Sequence, residues 1–329
     1  MPLARQPVVQ RLLASTNPTI RFKSRVNLLG EPSSNLAVRA LRAEIGSSWM
    51  ARAILSGRGR DGRIPVNPYR KWQGALWTLV QLALIEYPAG DTSLCSVRDQ
   101  AYDWLLSPEH LEFPRSMIIP GQEDRVRRCA SQEAFVIWST LKLGLADERT
   151  DLLIDRLVQF QWPDGGWNCD KRLEARKSSL VETLHPIRAL SYYGSLRQDR
   201  RAALTARRAG EVVLKRQLFR RASDGTVIHP SFTRLAYPCF YPYNILSALV
   251  ILAEADLIHD PRCRAALDLL ESKRLPDGGF PLEMRLSKTT KEFTTRGTFA
   301  DWGPVGRRRM NEFVTVDALY ALKAAGRIA

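Results

Sequence analysis

Apolar residues recur along this 329-residue chain in two alternating kinds of segment. The first is amphipathic. Leu152-Leu153-Ile154-Asp155-Arg156-Leu157-Val158 and Ala265-Ala266-Leu267-Asp268-Leu269-Leu270 place apolar side chains at i, i+3 and i+4, one stripe of a helix. The second is apolar nearly all round, as in Asn244-Ile245-Leu246-Ser247-Ala248-Leu249-Val250-Ile251-Leu252-Ala253, which suits a helix buried on every side. The spacing predicts amphipathic helices over roughly 36–55, 95–106, 150–160, 200–217 and 261–273. It predicts more apolar helices over roughly 70–87, 131–144, 179–194, 243–255 and 312–325. No run of alternating strands is predicted.

The segments are joined by a recurring turn. Gln161-Trp162-Pro163-Asp164-Gly165-Gly166-Trp167 is echoed by Arg274-Leu275-Pro276-Asp277-Gly278-Gly279-Phe280. The pattern is Q-x3-G-x-W at Gln161, Gly165 and Trp167, and R-x3-G-x-F at Arg274, Gly278 and Phe280. Weaker copies stand at Arg221, Gly225 and Val227 and at Arg58, Gly62 and Ile64. Glycine after Asp supplies the positive φ that ends a helix and reverses the chain. The wide gap between Gly62 and Gly165 leaves room for one more turn, expected near Ser107-Pro108-Glu109-His110. A repeat of this kind predicts an array of helical hairpins. It is either an open solenoid or a closed α/α toroid with the apolar helices as the inner ring. The long stretches from Gly225 to Tyr243 and from Gly278 to Asn311 favour closure and mark functional loops. The expected fold is therefore all-α, an α/α toroid of five to six hairpins over residues 36–329. Residues 1–35 supply an N-terminal helix and strap that close the ring.

In such a ring the inner helices are parallel, so their N-termini converge on one mouth beside the long loops. Those N-termini carry Trp72-Gln73, Gln132-Glu133, Glu182 with His185, Tyr243-Asn244 and Asn311-Glu312. Glu133, Glu182 and Glu312, with His185, are the candidate acids and bases, since burial raises a carboxyl pKa toward neutrality. Converging amide N–H groups would also attract an anion such as diphosphate. The competing reading is structural: Ser179-Leu180-Val181-Glu182 matches a capping box, and a first-turn Glu suits the helix dipole. Pro186 next to His185 implies a helix that starts later or kinks there. Asp170, in Asn168-Cys169-Asp170, is a further candidate for catalysis, against a role as a loop salt bridge or cap. Gln73, Asn244 and Asn311 are candidate substrate contacts. Trp72, Trp138, Tyr241, Tyr243 and Trp302 are candidate walls of an apolar, π-rich cavity, the alternative being that they fill the core.

Q-x3-G-x-W after an outer helix resembles the QW repeat of the terpenoid cyclase and protein prenyltransferase toroids. The chain also looks like a group of single-domain bacterial squalene-cyclase-like proteins. It does so through Asp164–Asp170, Leu270–Gly279, Asp301-Trp302-Gly303-Pro304 and Arg309-Met310-Asn311-Glu312. The resemblance spans roughly 36–325 and implies a toroid with an apolar cavity acting by acid–base cyclisation or isomerisation on an isoprenoid or lipid-like substrate. The family's signatures are missing. There is no D-x-D-D of triterpene cyclases, no D-D-x-x-D that holds magnesium diphosphate, no lantibiotic-cyclase zinc pattern and no Gly-Cys-Gly-Glu-Gln thioester. Ordinary triterpene cyclisation is therefore not expected. Prenyltransferases hold zinc with Asp, Cys and His. Cys169, Asp170 and His185 are those residue types but meet no zinc spacing rule, so no cofactor is predicted, with zinc or magnesium as the alternative. Two other functions remain: a non-catalytic lipid-binding or scaffold toroid, and a carbohydrate-active toroid with paired carboxylates across an open cleft.

Charge changes this picture little. The formal charge of +15 is carried by clusters scattered among the hairpins: Arg125-Val126-Arg127-Arg128, Arg207-Arg208, Arg220-Arg221 and Arg307-Arg308-Arg309. They read first as solvated faces, next as contacts to phosphate or an anionic lipid surface, and last as nucleic-acid contacts, for which no motif is present. Five cysteines without paired spacing and an N-terminus without an apolar core segment predict a cytoplasmic protein. No run of eighteen apolar residues exists to span a membrane, though peripheral contact through an apolar plateau fits.

Overall fold

The computed structural model describes residues 2–112, 115–172 and 174–329. Helices dominate them. The chain opens with α1 (Pro7–Leu13) and α2 (Pro18–Lys23), which runs on into a π-helical turn at Ser24–Leu28. Next come α3 (Leu36–Gly46), α4 (Trp49–Leu55), α5 (Ala75–Leu84), α6 (Cys95–Leu105) and the single turn α7 (Pro108–Leu111). A hairpin of β1 (Ile118–Ile119) and β2 (Gln122–Val126) precedes α8 (Ala130–Lys142) and α9 (Glu148–Gln159). Then follow α10 (Leu180–Arg197), α11 (Arg200–Leu214), β3 (Ala236–Tyr237), α12 (Ile245–Glu254) and α13 (Arg264–Glu271). The two-residue strands β4 (Met284–Arg285), β5 (Lys288–Thr289) and β6 (Gly297–Thr298) lead to α14 (Glu312–Ala324).

The two classes of helix differ in burial as the apolar pattern requires. Every residue of α5 is buried, and so are Ile245 to Leu252 of α12. In α9 only Thr150, Leu153, Ile154 and Leu157 are buried, the single stripe of an amphipathic helix. The apolar helices neighbour one another in order: α5 packs on α8, α8 on α10, α10 on α12, and α12 on α14. Helix α14 in turn packs on α2 and its π-helical extension. Thr19 near the head of α2 donates from Oγ1 to the carbonyl of Ile85, just past α5, at 3.0 Å. The amphipathic α6, α9, α11 and α13 pack on α5, α8, α10 and α12 respectively.

The turns that punctuate the sequence share one hydrogen-bond pattern. Trp162 N–H donates to Gly166 O at 2.8 Å and Gly165 N–H to Trp162 O at 2.9 Å. The same pair of bonds joins Leu275 with Gly279 and Gly278, and Gly59 with Arg63 and Gly62. Gly165 has φ +104°, and a Cβ there would stand 2.5 Å from the carbonyl oxygen of Arg208, so no other residue fits. The aromatic residue after each of the two strong turns locks onto the next apolar helix. Trp167 N–H donates to Thr183 Oγ1 and Phe280 N–H to Thr315 Oγ1. Gln161 Nε2 bridges Gly165 O and Thr205 O, both at 2.8 Å, tying the turn to α11.

A second repeat is invisible in the sequence. Each of α5, α8, α10, α12 and α14 ends on a residue in the left-handed region: Glu86, Gly144, Gln198, Asp256 and Gly326. The N–H that follows bonds the carbonyl five residues back: Tyr87 to Leu82, Leu145 to Thr140, Asp199 to Gly194, Leu257 to Leu252 and Arg327 to Leu322. This closes the last turn of each helix. Three of the five use a residue other than glycine, at a cost of roughly 1–2 kcal/mol each.

Four local expectations change. Residues 36–55 form two helices, because Ser48 accepts from Ala51 N–H and caps α4 afresh. The turn expected near Ser107–His110 is instead the one-turn helix α7, with Pro108 at its first position. The Pro120-Gly121 pair makes a hairpin, with Gly121 at φ +72°, where no strand is predicted. Helix α10 starts at Leu180, as the apolar spacing predicts, and runs through Pro186, so of the two readings of that proline the later start is the one that changes.

Candidate functional site

The N-terminal ends of the five apolar helices are closed by loops. Asn311 caps α14 by accepting from Val314 N–H at 3.0 Å, while its Nδ2 donates to Trp302 O at 2.8 Å. Asn244 caps α12 through Ser247 N–H at 3.1 Å. Gln73 holds the 286–299 loop from both ends of its amide, donating to Glu292 O and accepting from Thr294 N–H. Trp72 donates to Leu286 O at 3.1 Å and stacks on Phe240, ring centroids 4.4 Å apart. Trp77 lies edge-on to Trp72 at 4.5 Å and tilted against Phe135 at 5.0 Å. These rings fill the interior at this end. The Tyr243 hydroxyl donates to Leu218 O, and Tyr241 stands under the Lys71 ammonium at 4.3 Å.

Each candidate acid or base has partners of its own, and Glu133 lies close enough to Glu182 to add to the rise that burial causes in its pKa. Glu133 is buried and ion-paired with Arg128 and with Arg156, the latter at 3.2 Å. Glu312 accepts from Ser15 Oγ at 2.9 Å, on the far side by α1. Asp170 is half-buried and forms a bidentate pair with Arg172, its neighbour two residues on. His185 is buried with its ring 4.1 Å from that of Phe135; burial and then the nearby Arg188 charge pull its pKa down to about 3, against a hydrogen bond with the Phe240 backbone. Glu182 is buried too, accepting from Ser131 N–H at 3.0 Å and from Cys169 Sγ at 3.3 Å. Burial raises its pKa, and the Ser131 N–H opposes the rise.

A cavity of about 300 Å³ takes in Asn311 and Glu312 at this N-terminal end, and another of about 300 Å³ lies toward the opposite end of the same helices. The second takes Glu86 from just past α5, Trp138 and Lys142 from α8, and Arg188 and Tyr192 from α10. Ser247, Val250 and Glu254 come from α12, Asp317 and Tyr320 from α14, and Lys23 and Asn27 from α2 and its extension. Tyr237 and Cys239 also line it, from the loop before α12. Of the aromatic and polar side chains that the sequence pattern marks as substrate contacts, Trp138 alone lines this cavity.

The walls mix apolar side chains, among them Leu84, Leu246 and Val250, with ion pairs. Arg188 holds Glu254 through two bonds of 2.6 Å and lies 3.7 Å above the Trp138 ring. Glu86 pairs with Lys142 at 3.0 Å and Arg42 at 3.1 Å. Burial works against the Glu86 charge, but Lys142, Lys23 and Arg42 outweigh it and hold its pKa below the usual value. Asp317 pairs with Lys23. Burial alone would lower the Lys23 pKa; Asp317 first, with Tyr237 and Glu86 behind it, holds it above that of an ordinary lysine. Tyr237 is 2 % exposed, and its hydroxyl has no hydrogen-bond partner. Burial pushes its pKa above the usual phenol value, with Lys23 opposing, so it keeps its proton at neutral pH. The signal for two of these residues is present in the chain: Arg188 and Asp317 each interrupt a largely apolar buried run, as in Phe313-Val314-Thr315-Val316-Asp317-Ala318-Leu319.

The clusters Arg207-Arg208 and Arg307-Arg308-Arg309 are exposed, whereas Arg127 is buried and bonds the carbonyls of Ile118 and Arg172. Among the described residues no helix is long and apolar enough to cross a membrane. No protein-family model and no curated protein matches the chain.

Proposed function

We propose that α2, α5, α8, α10, α12 and α14 close into the inner ring of an α/α toroid. We propose further that the cavity within the ring binds a compact, oxygen-bearing isoprenoid or lipid-like molecule and acts on it by acid–base chemistry. The order of helix neighbours supports the ring, since α14 meets α2 and Thr19 reaches the end of α5. The recurring turns support the terpenoid-cyclase-like frame. The ion pairs in the walls narrow the substrate. A cavity of about 300 Å³ stands at the small end of the usual range for ligand pockets, ~300–1,000 Å³, and favours a short chain with a polar head over a long bare polyisoprenoid.

One observation carries the reading: the buried, unpartnered hydroxyl of Tyr237, a residue that lines the cavity. A buried O–H without a partner costs ~1–3 kcal/mol, and a ligand oxygen repays it. The Lys23 ammonium lies 5.9 Å from the Tyr237 ring centroid and supplies a second donor for the same oxygen. Two donors meeting on one ligand oxygen would stabilise negative charge developing there. Asp317, which lines the cavity together with its partner Lys23, is the base available to such a ligand.

The test compares wild type with Tyr237→Phe, by mass spectrometry of small molecules extracted from the purified protein and by thermal shift with prenyl alcohols, prenyl diphosphates and short carboxylic acids. The variant should be as stable as wild type or more stable by ~1 kcal/mol, and should bind at least about tenfold more weakly. A wild-type protein that retains nothing and is stabilised by none of these compounds would sink the reading. A non-catalytic binding toroid is the second reading, favoured by Glu86, Glu254 and Asp317 each being engaged by a cation. Binding without turnover of any bound compound would select it.

A further inference from the structure

We infer that Cys129, Cys169 and Glu182 form a zinc site, distinct from the ion-paired cavity. The two Sγ atoms and a carboxylate oxygen of Glu182 all lie within 4.8 Å of one another. With Zn–S near 2.3 Å and Zn–O near 2.0 Å, a tetrahedral ion needs these atoms about 3.5–3.8 Å apart. Cys169 Sγ and Glu182 Oε1 are already 3.3 Å apart, so the gap closes by small side-chain adjustments.

Three features show a built site rather than a chance meeting. The ligands come from three places that the fold fixes independently: the N-cap of α8, the segment after the Gly165 turn, and the first turn of α10. The segments carrying the thiols are joined directly, by Arg128 N–H to Asn168 O at 2.9 Å. Asn168 then fixes the far side of Cys169, its Oδ1 accepting from Asp170 N–H and its Nδ2 donating to Lys177 O. Finally, Glu182 is oriented from behind. Ser131 N–H holds Oε2, leaving Oε1 facing the thiol, which is the outer-shell bond expected behind a carboxylate ligand.

The donor set selects the metal. Two thiolates and one carboxylate suit the borderline-soft zinc ion and not magnesium or calcium, which take oxygen ligands. Binding releases both thiol protons and leaves a net charge of one minus on the metal and its three protein ligands, with the half-buried Lys71 close to both Cys129 and Glu182. Both cysteines are half-buried, so the ion has a path in. Three protein ligands leave the fourth position open to water or another small ligand, the arrangement of catalytic rather than structural zinc.

The test uses the full chain, stripped with chelator under reducing conditions and then titrated with Zn2+ against a chromophoric competitor. Co2+ provides an optical probe, since thiolate ligation gives intense charge-transfer absorption. One equivalent of zinc should bind, and the Co2+ form should show thiolate bands. Cys129→Ser and Cys169→Ser should each lose the thiolate bands or weaken binding at least about tenfold, as should Glu182→Gln. Cys95→Ser, at the start of α6, should behave as wild type. Circular dichroism confirms that each variant is folded, and the cysteine variants decide the matter should Glu182→Gln fail to fold. No stoichiometric zinc binding by reduced wild type, undiminished binding in both cysteine variants, or a Cys129–Cys169 disulfide that persists in excess thiol would overturn the inference.

Discussion

The two ends of the apolar helix set use polar residues for opposite purposes. At the N-terminal end Asn244, Asn311, Gln73 and the first-turn Glu133 and Glu182 are bound to backbone or to neighbouring side chains. Most of them satisfy groups that any helix start leaves open. At the C-terminal end Lys23, Arg188 and Asp317 are charged residues buried within helices, where no cap calls for them. A polar residue at a helix start has a local reason to exist. A charge inside a buried helix needs a partner from elsewhere, and here the partners enclose a space.

Breaking one partner at the cavity end should have the largest effect. Arg188→Met leaves Glu254 without its cation and removes the group above Trp138; Asp317→Leu leaves the Lys23 ammonium buried without its carboxylate. Asp317→Leu should cost ~3–5 kcal/mol in urea unfolding, and Lys23→Met with Asp317→Leu together should recover most of it. If the single and double variants are equally unstable, the pair is not the unit described here.

Acid should distinguish the two ends next. The folded-state pKa of His185 is depressed to about 3, so between roughly pH 6.5 and pH 3 the unfolded chain binds a proton that the folded one does not. Stability is therefore full above pH 6.5 and falls with acid, by up to ~1.4 kcal/mol per pH unit. His185→Gln should flatten this slope in denaturation curves taken at stepped pH. An unchanged slope would place the acid sensitivity elsewhere.

Smaller effects should follow at the N-terminal end. Asn311→Ala removes a cap and should cost ~1 kcal/mol while leaving ligand binding at the opposite end unchanged. A loss of binding without a loss of stability would make Asn311 part of the working site. Asp170→Asn, breaking an exposed pair within one loop, should shift stability by less than ~0.5 kcal/mol. A larger change would show that this loop bears on the fold.

Most helices were legible from apolar spacing, because burial on one face or all round is a property of neighbouring residues. Gly165 and Gly278 were legible as turns for the same reason. The shared left-handed helix ends were not, because Glu86, Gln198 and Asp256 carry no glycine to mark them. The cavity was hidden more deeply. Arg188 and Glu254 are 66 residues apart, and a sequence alone does not say that they meet. The starts of the apolar helices drew attention because polar residues cluster there, but capping alone accounts for much of that clustering. Long loops also predict a mouth. The 286–299 loop instead closes one, with Thr298 reaching the middle of α5 to bond Gln81.

The Lys23–Asp317 pair joins positions 294 residues apart. On a ribosome the first of these residues is exposed long before the second is made. Until α14 emerges, the cavity lacks a wall and Lys23 lacks its counter-charge. The cavity is thus complete only once α14 docks against α2. A truncation within α14 should remove that cavity altogether, and a chaperone that guards the emerging Lys23 must hold it until α14 has been made.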